Sequence, residues 1–188
     1  METKLEDLKI GEQFVINGNT YTKLNEQGYC VLDKYNASVA NWAKFMAFDS
    51  KENLSNNFDK STIKEYINSK FFKNEILGIA DYLKPNTEIT LLSVEELEEY
   101  KEQIKKFFAY SWSRSPRNSY PYLTYRVDPS GSSFYGNPVY RSCAVRPALY
   151  LNPESIVLST TAHIKDSAIA ELQAQLNEIQ EKIDELKK

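Results

Sequence analysis

The first part of the chain alternates apolar and polar residues in short runs, which is the pattern of β-strands with one buried face. The runs Gln13–Ile16 and 20–24 flank Asn17-Gly18. Asn-Gly supplies the positive φ angles of a type I′ turn, so this segment predicts a β-hairpin. After Gly28, residues 29–32 predict a third strand.

Two helices are predicted in the middle of the chain. Thr62 and Glu65 have the spacing of a capping box, and so do Ser93 and Glu96. Each pair precedes apolar residues at helical spacing: Ile63, Tyr66, Ile67 and Phe71 in the first helix, and Leu97, Tyr100, Ile104, Phe107 and Phe108 in the second. Residues 89–92 predict a short buried strand. Helical periodicity ends at residue 108, and short strands broken by Ser, Pro, Gly and Asn are expected up to residue 151, which makes the class α+β.

The end of the chain has a different pattern. Residues 1–151 are predicted to form the globular domain, residues 152–166 a connector, and residues 167–188 a helix. The apolar residues of this helix alternate spacings of three and four: Ile169, Leu172, Leu176, Ile179, Ile183 and Leu186. Such an a/d seam predicts a coiled coil and therefore a homo-oligomer. The alternative is an amphipathic helix packed against its own domain. The residues at the e and g positions do not form a pattern of opposite charges that would specify a partner helix, so the number of helices and their orientation stay open.

Composition points to one unusual stretch. All five arginines lie between Arg114 and Arg146, and every other cationic side chain is a lysine. Residues 107–153 hold seven tyrosines and eight serines but only one acid, Asp128. Their formal charge is therefore +4 (five minus one), in a chain of net charge −3. Arginine and tyrosine are over-represented in binding hot spots, and tyrosine with Ser, Gly and Asn is typical of antibody paratopes. The chain is therefore interpreted as a binding protein.

A structural explanation of the same stretch is the alternative. Aromatic residues also fill cores and strands, so about half of these rings are expected to be buried. Arg126 lies in an alternating run, 122–127, and fits the solvated face of a strand. The bias toward arginine is harder to explain structurally, because lysine serves equally well on an inert surface. Function is therefore favoured for the arginines as a group.

Composition also limits the class of protein. With 41% hydrophobic and 26% charged residues, the chain is expected to be a soluble globular protein. Its first residues lack the apolar run of a signal peptide, and no membrane-inserting segment is expected. Cys30 and Cys143 are interpreted as buried free thiols. The isoelectric point near 5.4 makes general nucleic-acid binding improbable, although a local basic patch is able to bind a phosphate.

The residue inventory disfavours an enzyme. The single histidine, His163, lies outside the predicted globular domain, so a Ser-His-Asp device is not expected. No P-loop, dinucleotide fingerprint or zinc-type cluster occurs. The polar segment 49–57 lacks the glycine and terminal glutamate of an EF-hand and is interpreted as a loop. No metal or cofactor is expected.

A longer motif resembles a known family. It consists of Trp112-Ser113-Arg114-Ser115-Pro116, then residues 125–127, Gly131, and Val145-Arg146-Pro147-Ala148-Leu149. This motif is similar to the signature of an uncharacterised domain family of Firmicutes, their phages and prophages (domain of unknown function 6273). The resemblance extends over most of residues 8–151. Ser113 stands where an aliphatic residue is usual in the family.

The ending of that motif resembles C-type-lectin-like folds, in which such residues build a scaffold and the loops between them bind. The resemblance implies a structural role for Trp112, Arg114, Arg146 and Pro147. It implies a display surface in residues 113–142, formed by Arg117, Tyr120, Tyr122, Phe134, Tyr135, Asn137, Tyr140 and Arg141.

The functional hypothesis is a phage- or prophage-encoded protein that binds a protein or glycan receptor. Oligomerisation through the C-terminal helix would raise its avidity, so truncation after Pro153 is expected to weaken binding without unfolding the domain. The alternative is an intracellular effector that inhibits a host or defence protein, so a virion and the host cytoplasm are both expected locations. Lesser alternatives are a nucleic-acid binder and a formylglycine-generating type of enzyme, which would need Cys30 and Cys143 as a reactive pair.

Overall fold

Two β-sheets contain most of the secondary structure in the computed structural model, which describes residues 1–131 and 134–160. The strands are β1 (Glu2–Lys4), β2 (Gln13–Ile16), β3 (Asn19–Lys23), β4 (Tyr29–Lys34), β5 (Phe45–Ala47), β6 (Thr90–Leu91), β7 (Ser111–Pro116), β8 (Leu123–Val127), β9 (Phe134–Pro138), β10 (Ser142–Ala144), β11 (Pro147–Tyr150) and β12 (Ile156–Ser159). The α-helices are α1 (Asn41–Lys44), α2 (Thr62–Asn68) and α3 (Val94–Glu99). Single helical turns of 3₁₀ or π type lie at Leu5–Asp7, Phe58–Lys60, Phe72–Ile76 and Ala80–Tyr82. The predicted α+β class is confirmed.

The seven-stranded sheet has the order β1-β12-β2-β3-β4-β11-β6, and its neighbouring strands are antiparallel. The five-stranded sheet has the order β5-β10-β7-β8-β9, with one parallel pair, β10 and β7. The chain therefore passes from the five-stranded to the seven-stranded sheet between β10 and β11.

The predicted N-terminal hairpin is confirmed. Asn17 and Gly18 both have positive φ angles, 49° and 78°, as a type I′ turn requires. Ile16 pairs with Asn19, and β4 adds the predicted third strand.

The predicted helices are confirmed in place but not in length. The capping box of Ser93 and Glu96 is present, with both reciprocal hydrogen bonds formed. In α2, however, the N-cap is Ser61, whose hydroxyl accepts from the Lys64 amide at 3.3 Å, so the prediction for Thr62 was one residue late. Helix α3 ends at Glu99, because Ile104 and Phe107 reach the core from an irregular segment. No helix of the described residues is long and apolar enough to cross a membrane.

The core lies on both faces of the seven-stranded sheet, and β4 shows this directly. Cys30 and Leu32 point into the larger cluster of buried side chains, which also holds Trp112 and the buried face of α2. Tyr29 and Val31 point the other way, into a smaller cluster closed by α3. Successive strand residues face opposite sides, so a strand covered on both sides is apolar throughout.

The predicted connector is wrong in its first half. Residues 156–159 form β12, which lies between β1 and β2 and buries Val157. The alternation of buried and exposed side chains over four residues is that of a half-buried strand. A truncation after Pro153 would remove this strand and leave β1 and β2 without their common neighbour. Residues 161–188, with the predicted coiled coil, lie outside the described residues.

A buried ion pair links β4 to Arg146, which lies between β10 and β11, where the chain passes from one sheet to the other. The Arg146 guanidinium is 4% exposed and donates to Asp33 at 2.7 Å and to the Leu32 carbonyl at 2.9 Å. It also donates to the Lys105 carbonyl at 2.8 Å and lies 4.9 Å from the Phe107 ring centroid. Burial lowers the pKa of Arg146, and Asp33 opposes this effect.

Asp33 accepts two further hydrogen bonds, from Gln13 at 2.7 Å and from the Thr22 hydroxyl. The carboxylate therefore joins β2, β3 and β4 to Arg146. A buried charge that is both paired and fully hydrogen-bonded is tolerated, but removing one partner leaves the other uncompensated.

We expect Asp33→Asn to lower the free energy of unfolding by about 3–5 kcal/mol, because Arg146 would then be buried without a counter-charge. Urea denaturation at pH 7 measures this change. The control is Glu6→Gln, which breaks the exposed pair of Lys4 and Glu6 and should leave stability nearly unchanged. Similar losses in both variants would contradict a special role for the buried pair.

Candidate binding surface

Two of the five arginines are neutralised by carboxylates within the domain. Arg146 pairs with Asp33 as described, and Arg114 forms two hydrogen bonds with Glu96, at 2.7 and 2.9 Å. Burial disfavours the charged form of Arg114, but Glu96 outweighs it and the pKa is raised. Trp112 and Pro147 are buried, and the Trp112 indole donates to the Met46 carbonyl at 2.8 Å. The four residues to which the resemblance gives a scaffold role thus make internal contacts.

The other three arginines lie against tyrosine rings. Within residues 1–131 and 134–160, none of them forms a salt bridge. The distances from guanidinium carbon to ring centroid are 5.2 Å for Arg117 and Tyr120, 4.5 Å for Arg126 and Tyr110, 5.9 Å for Arg126 and Tyr135, and 5.9 Å for Arg141 and Tyr140. These distances are in the range of cation–π contacts, which order the side chain but leave its charge uncancelled.

Arg126 contacts two rings that also contact each other. It lies on β8 opposite Tyr135 of β9 and is close to Tyr110, just before β7, and the Tyr110 and Tyr135 ring centroids are 6.4 Å apart. Its Nε is buried and has no hydrogen-bond acceptor among the described residues. Arg126 does lie on a strand, as the structural alternative expects, and it is half-buried against Tyr110 and Tyr135.

Arg117 lies on the opposite face of the β8–β9 pair. A Cβ atom placed on Gly136 would be 2.3 Å from Nη1 and 2.8 Å from Cδ of Arg117, so this side chain crosses the bare backbone of Gly136. Side chains alternate along a strand, which places Tyr135 and Asn137 on the other face. The predicted display surface is thus divided between two faces, and Arg117 and Arg141 do not belong to one patch.

The two faces meet at one end of this strand pair. The Val139 amide donates to the Tyr122 carbonyl at 3.0 Å, which holds the loop 117–122 beside the turn 139–141. The Asn56 amide fastens the same loop by donating to the carbonyls of Leu123 at 2.9 Å and Tyr120 at 3.1 Å. Tyr120, Tyr122 and Tyr140 are all exposed at this end. A loop held by backbone contacts can present these rings in a fixed arrangement.

A shallow cavity of about 490 Å³ lies on the Tyr135 face, and we name it the arginine pocket. Its lining consists of Arg126, Asn137, Pro138, Arg141 and Ser142. No acidic residue of the described chain lines it, so two uncompensated cations face the same space. The Asn137 side-chain amide donates to the Cys143 sulfur at 3.4 Å, which fixes one wall.

In a larger cavity, of about 600 Å³, the cations are instead paired with carboxylates. Lys64 in its wall pairs with Asp59 at 3.0 Å and Glu88 at 2.9 Å, and these contacts raise the pKa of the lysine. Arg114, also in the wall, is neutralised by Glu96. Both cations of this cavity are therefore already paired with carboxylates, so neither is left unpaired to recognise an anion.

The predicted binding residues are distributed unevenly. Tyr135 and Tyr140 are exposed, but Phe134 packs against the smaller core cluster, so its display role is not favoured by its position. Sequence reasoning missed Tyr110, Arg126 and Ser142 as parts of the site. Tyr110 and Arg126 stood out by composition, but only the pairing of β7, β8 and β9 brings them together.

The two cysteines lie in different sheets, Cys30 in β4 and Cys143 in β10, and both are free. Burial raises the pKa of Cys30 and raises the pKa of Cys143 to about 11, although Arg126 acts in the opposite direction on Cys143. Within the described residues, no group of three or more His, Cys, Asp or Glu side chains is placed to hold a metal ion.

Comparison of the chain with protein-family models, with curated proteins and with solved structures found no match. The resemblance to the domain family and to C-type-lectin-like folds accordingly stays a prediction from sequence motifs.

Proposed function

We propose that this protein is a non-enzymatic binding protein that recognises a protein or glycan receptor through its tyrosine-supported arginines. One observation carries the proposal. Arg117, Arg126 and Arg141 are held on tyrosine rings without a carboxylate partner in the described chain, whereas Arg114 and Arg146 are neutralised internally. Ordered side chains with uncancelled charge bind at a lower entropic cost than mobile ones.

The sequence motif extends the proposal to a phage or prophage origin, with the receptor bound by a virion protein. A second candidate is an intracellular effector that binds a host or defence protein. Its support is the pair of free buried thiols, since free cysteines persist in reducing compartments. Exposed tyrosine and arginine side chains suit a protein partner in either setting.

We expect both thiols to be unreactive in the folded protein. Only a thiolate attacks, and with a pKa of about 11 for Cys143 its thiolate fraction at pH 8 is about one thousandth. Ellman's reagent at pH 8 should therefore modify the native protein far more slowly than the protein in urea. Cys30→Ala and Cys143→Ala variants assign each reaction. A thiol that reacts faster in the native state than in urea would favour the enzyme alternative.

We expect the double variant Arg117→Ala/Arg141→Ala to lose its partner while its melting temperature stays nearly unaltered. The experiment is a pull-down with tagged protein from separate envelope and cytosol fractions of the host, followed by mass spectrometry. The matched control is Lys51→Ala/Lys70→Ala, which removes the same charge from exposed lysines elsewhere. Equal loss in the control would mean that net charge alone governs capture. A large fall in melting temperature would instead make the arginines structural.

Truncation after residue 166 tests the predicted oligomer, because it keeps β12 and removes only residues 167–188. We expect the shortened chain to sediment as a monomer and to bind an immobilised partner with lower apparent affinity, since avidity is lost. Circular dichroism should show an intact β-sheet spectrum. Unchanged sedimentation and binding would refute the avidity hypothesis.

A further inference from the structure

We propose that the arginine pocket binds a carboxylate side chain from an acidic segment of a protein partner. This inference rests on the proposed function and specifies the chemistry of recognition at one of its two faces. The pocket itself is the space of about 490 Å³ between Arg126 and Arg141.

The two cations are positioned differently. Arg126 comes from β8 and rests on the adjacent rings of Tyr110 and Tyr135, so its guanidinium cannot move far without losing both contacts. Arg141 lies in the exposed turn before β10 and rests on Tyr140. Arg126 is thus the more restrained arginine and Arg141 the more exposed one. A ligand would enter the pocket past Arg141 and then form hydrogen bonds with both guanidinium groups.

The pocket has an excess of positive charge that an anionic ligand would neutralise. Neither arginine has an ion pair in the described chain, and the buried Nε of Arg126 lacks an acceptor. The cavity around Lys64 shows the contrast, because Asp59 and Glu88 already supply its anions. An incoming anion therefore competes with no internal carboxylate at the arginine pocket.

The walls of the pocket lack the backbone features that are common in phosphate sites. Phosphate sites commonly use a helix N-terminus or a nest of free backbone amides. Here the walls are strands, and two amides of the turn are already engaged: Arg141 donates to the Pro138 carbonyl at 2.9 Å and Val139 to that of Tyr122 at 3.0 Å. What remains are two planar guanidinium groups and the Ser142 hydroxyl. Planar guanidinium groups bind both carboxylates and phosphates bidentately, so the choice of a carboxylate rests on the small share of backbone amides in the described lining.

The surroundings favour a peptide as the source of that carboxylate. Pro138 gives the pocket an apolar wall, and the exposed rings of Tyr135 and Tyr140 stand on the two arginines that line it. Tyrosine next to arginine gives large, rigid contact area for neighbouring residues of a bound chain. The side chain of the acidic residue would thus enter the pocket, and the neighbouring residues of the peptide would pack on Tyr135 and Tyr140.

The test is an NMR titration of the full-length protein that follows the arginine Nε–Hε signals and the Ser142 amide. The probes are hexaglutamate, hexaglutamine and inorganic phosphate at constant ionic strength. We expect saturable shifts at Arg126, Arg141 and Ser142 with hexaglutamate only. Arg141→Ala should weaken this binding by about tenfold or more, and Arg141→Lys should weaken it partially, since lysine keeps the charge but not the fork.

Lys51→Ala is the matched control, because Lys51 carries the same charge on an exposed side chain outside the candidate binding surface and should leave the titration unchanged. Equal weakening by Lys51→Ala would show diffuse electrostatic attraction and overturn the inference. Stronger shifts with phosphate than with hexaglutamate would overturn it in favour of a phosphate site. Absence of any shift would overturn it as well. If partner capture still depended on Arg117, the proposed function would survive that result, whereas loss of both effects would refute the two together.

Discussion

The buried pair of Arg146 and Asp33 is the interaction on which the arrangement of the two sheets depends. Arg146 follows β10, the last strand of the five-stranded sheet, and precedes β11 of the seven-stranded sheet. Its guanidinium binds β4 through Asp33 and the Leu32 carbonyl, and it holds the irregular segment at Lys105. Only an extended, always charged side chain with several donors can satisfy three separate acceptors at this crossing.

This constraint also positions the binding surface. Once Arg146 fixes the chain after β10, the Ala144 amide donates to the Tyr110 carbonyl at 2.9 Å, and Ser142 lies at the start of the same strand. Tyr110 in turn supports Arg126. The buried Arg146 and the pocket-lining Arg126 are therefore linked through a few contacts. Damage to the buried pair would displace the arginine pocket even though no residue is shared.

The sequence predicted local structure well where one residue type decides the backbone, as at Asn17-Gly18 and the Ser93 capping box. It failed where tertiary contacts decide. Helix α3 stops early because Ile104 and Phe107 are buried without helical geometry, and β12 was hidden in an apparent connector because its pairing strands are distant in sequence. The arginine cluster was visible from composition. The division of the cluster between two faces could not be predicted. It depends on a tertiary contact, in which Arg117 lies against the face of β9 that Gly136 leaves open.

Under the proposed function, the contrast between ion-paired and ring-supported arginines lets one stretch of chain serve both stability and recognition. A carboxylate partner would immobilise an arginine but also cancel its charge, and a ligand would then have to break that pair. A tyrosine ring restricts the same side chain, whose full rotamer freedom is worth about 2 kcal/mol, without supplying a competing anion. The Arg126 side chain is therefore restrained by two rings and has no carboxylate partner among the described residues. Its buried Nε has no acceptor among the described residues, and this is the feature that the proposed binding would account for.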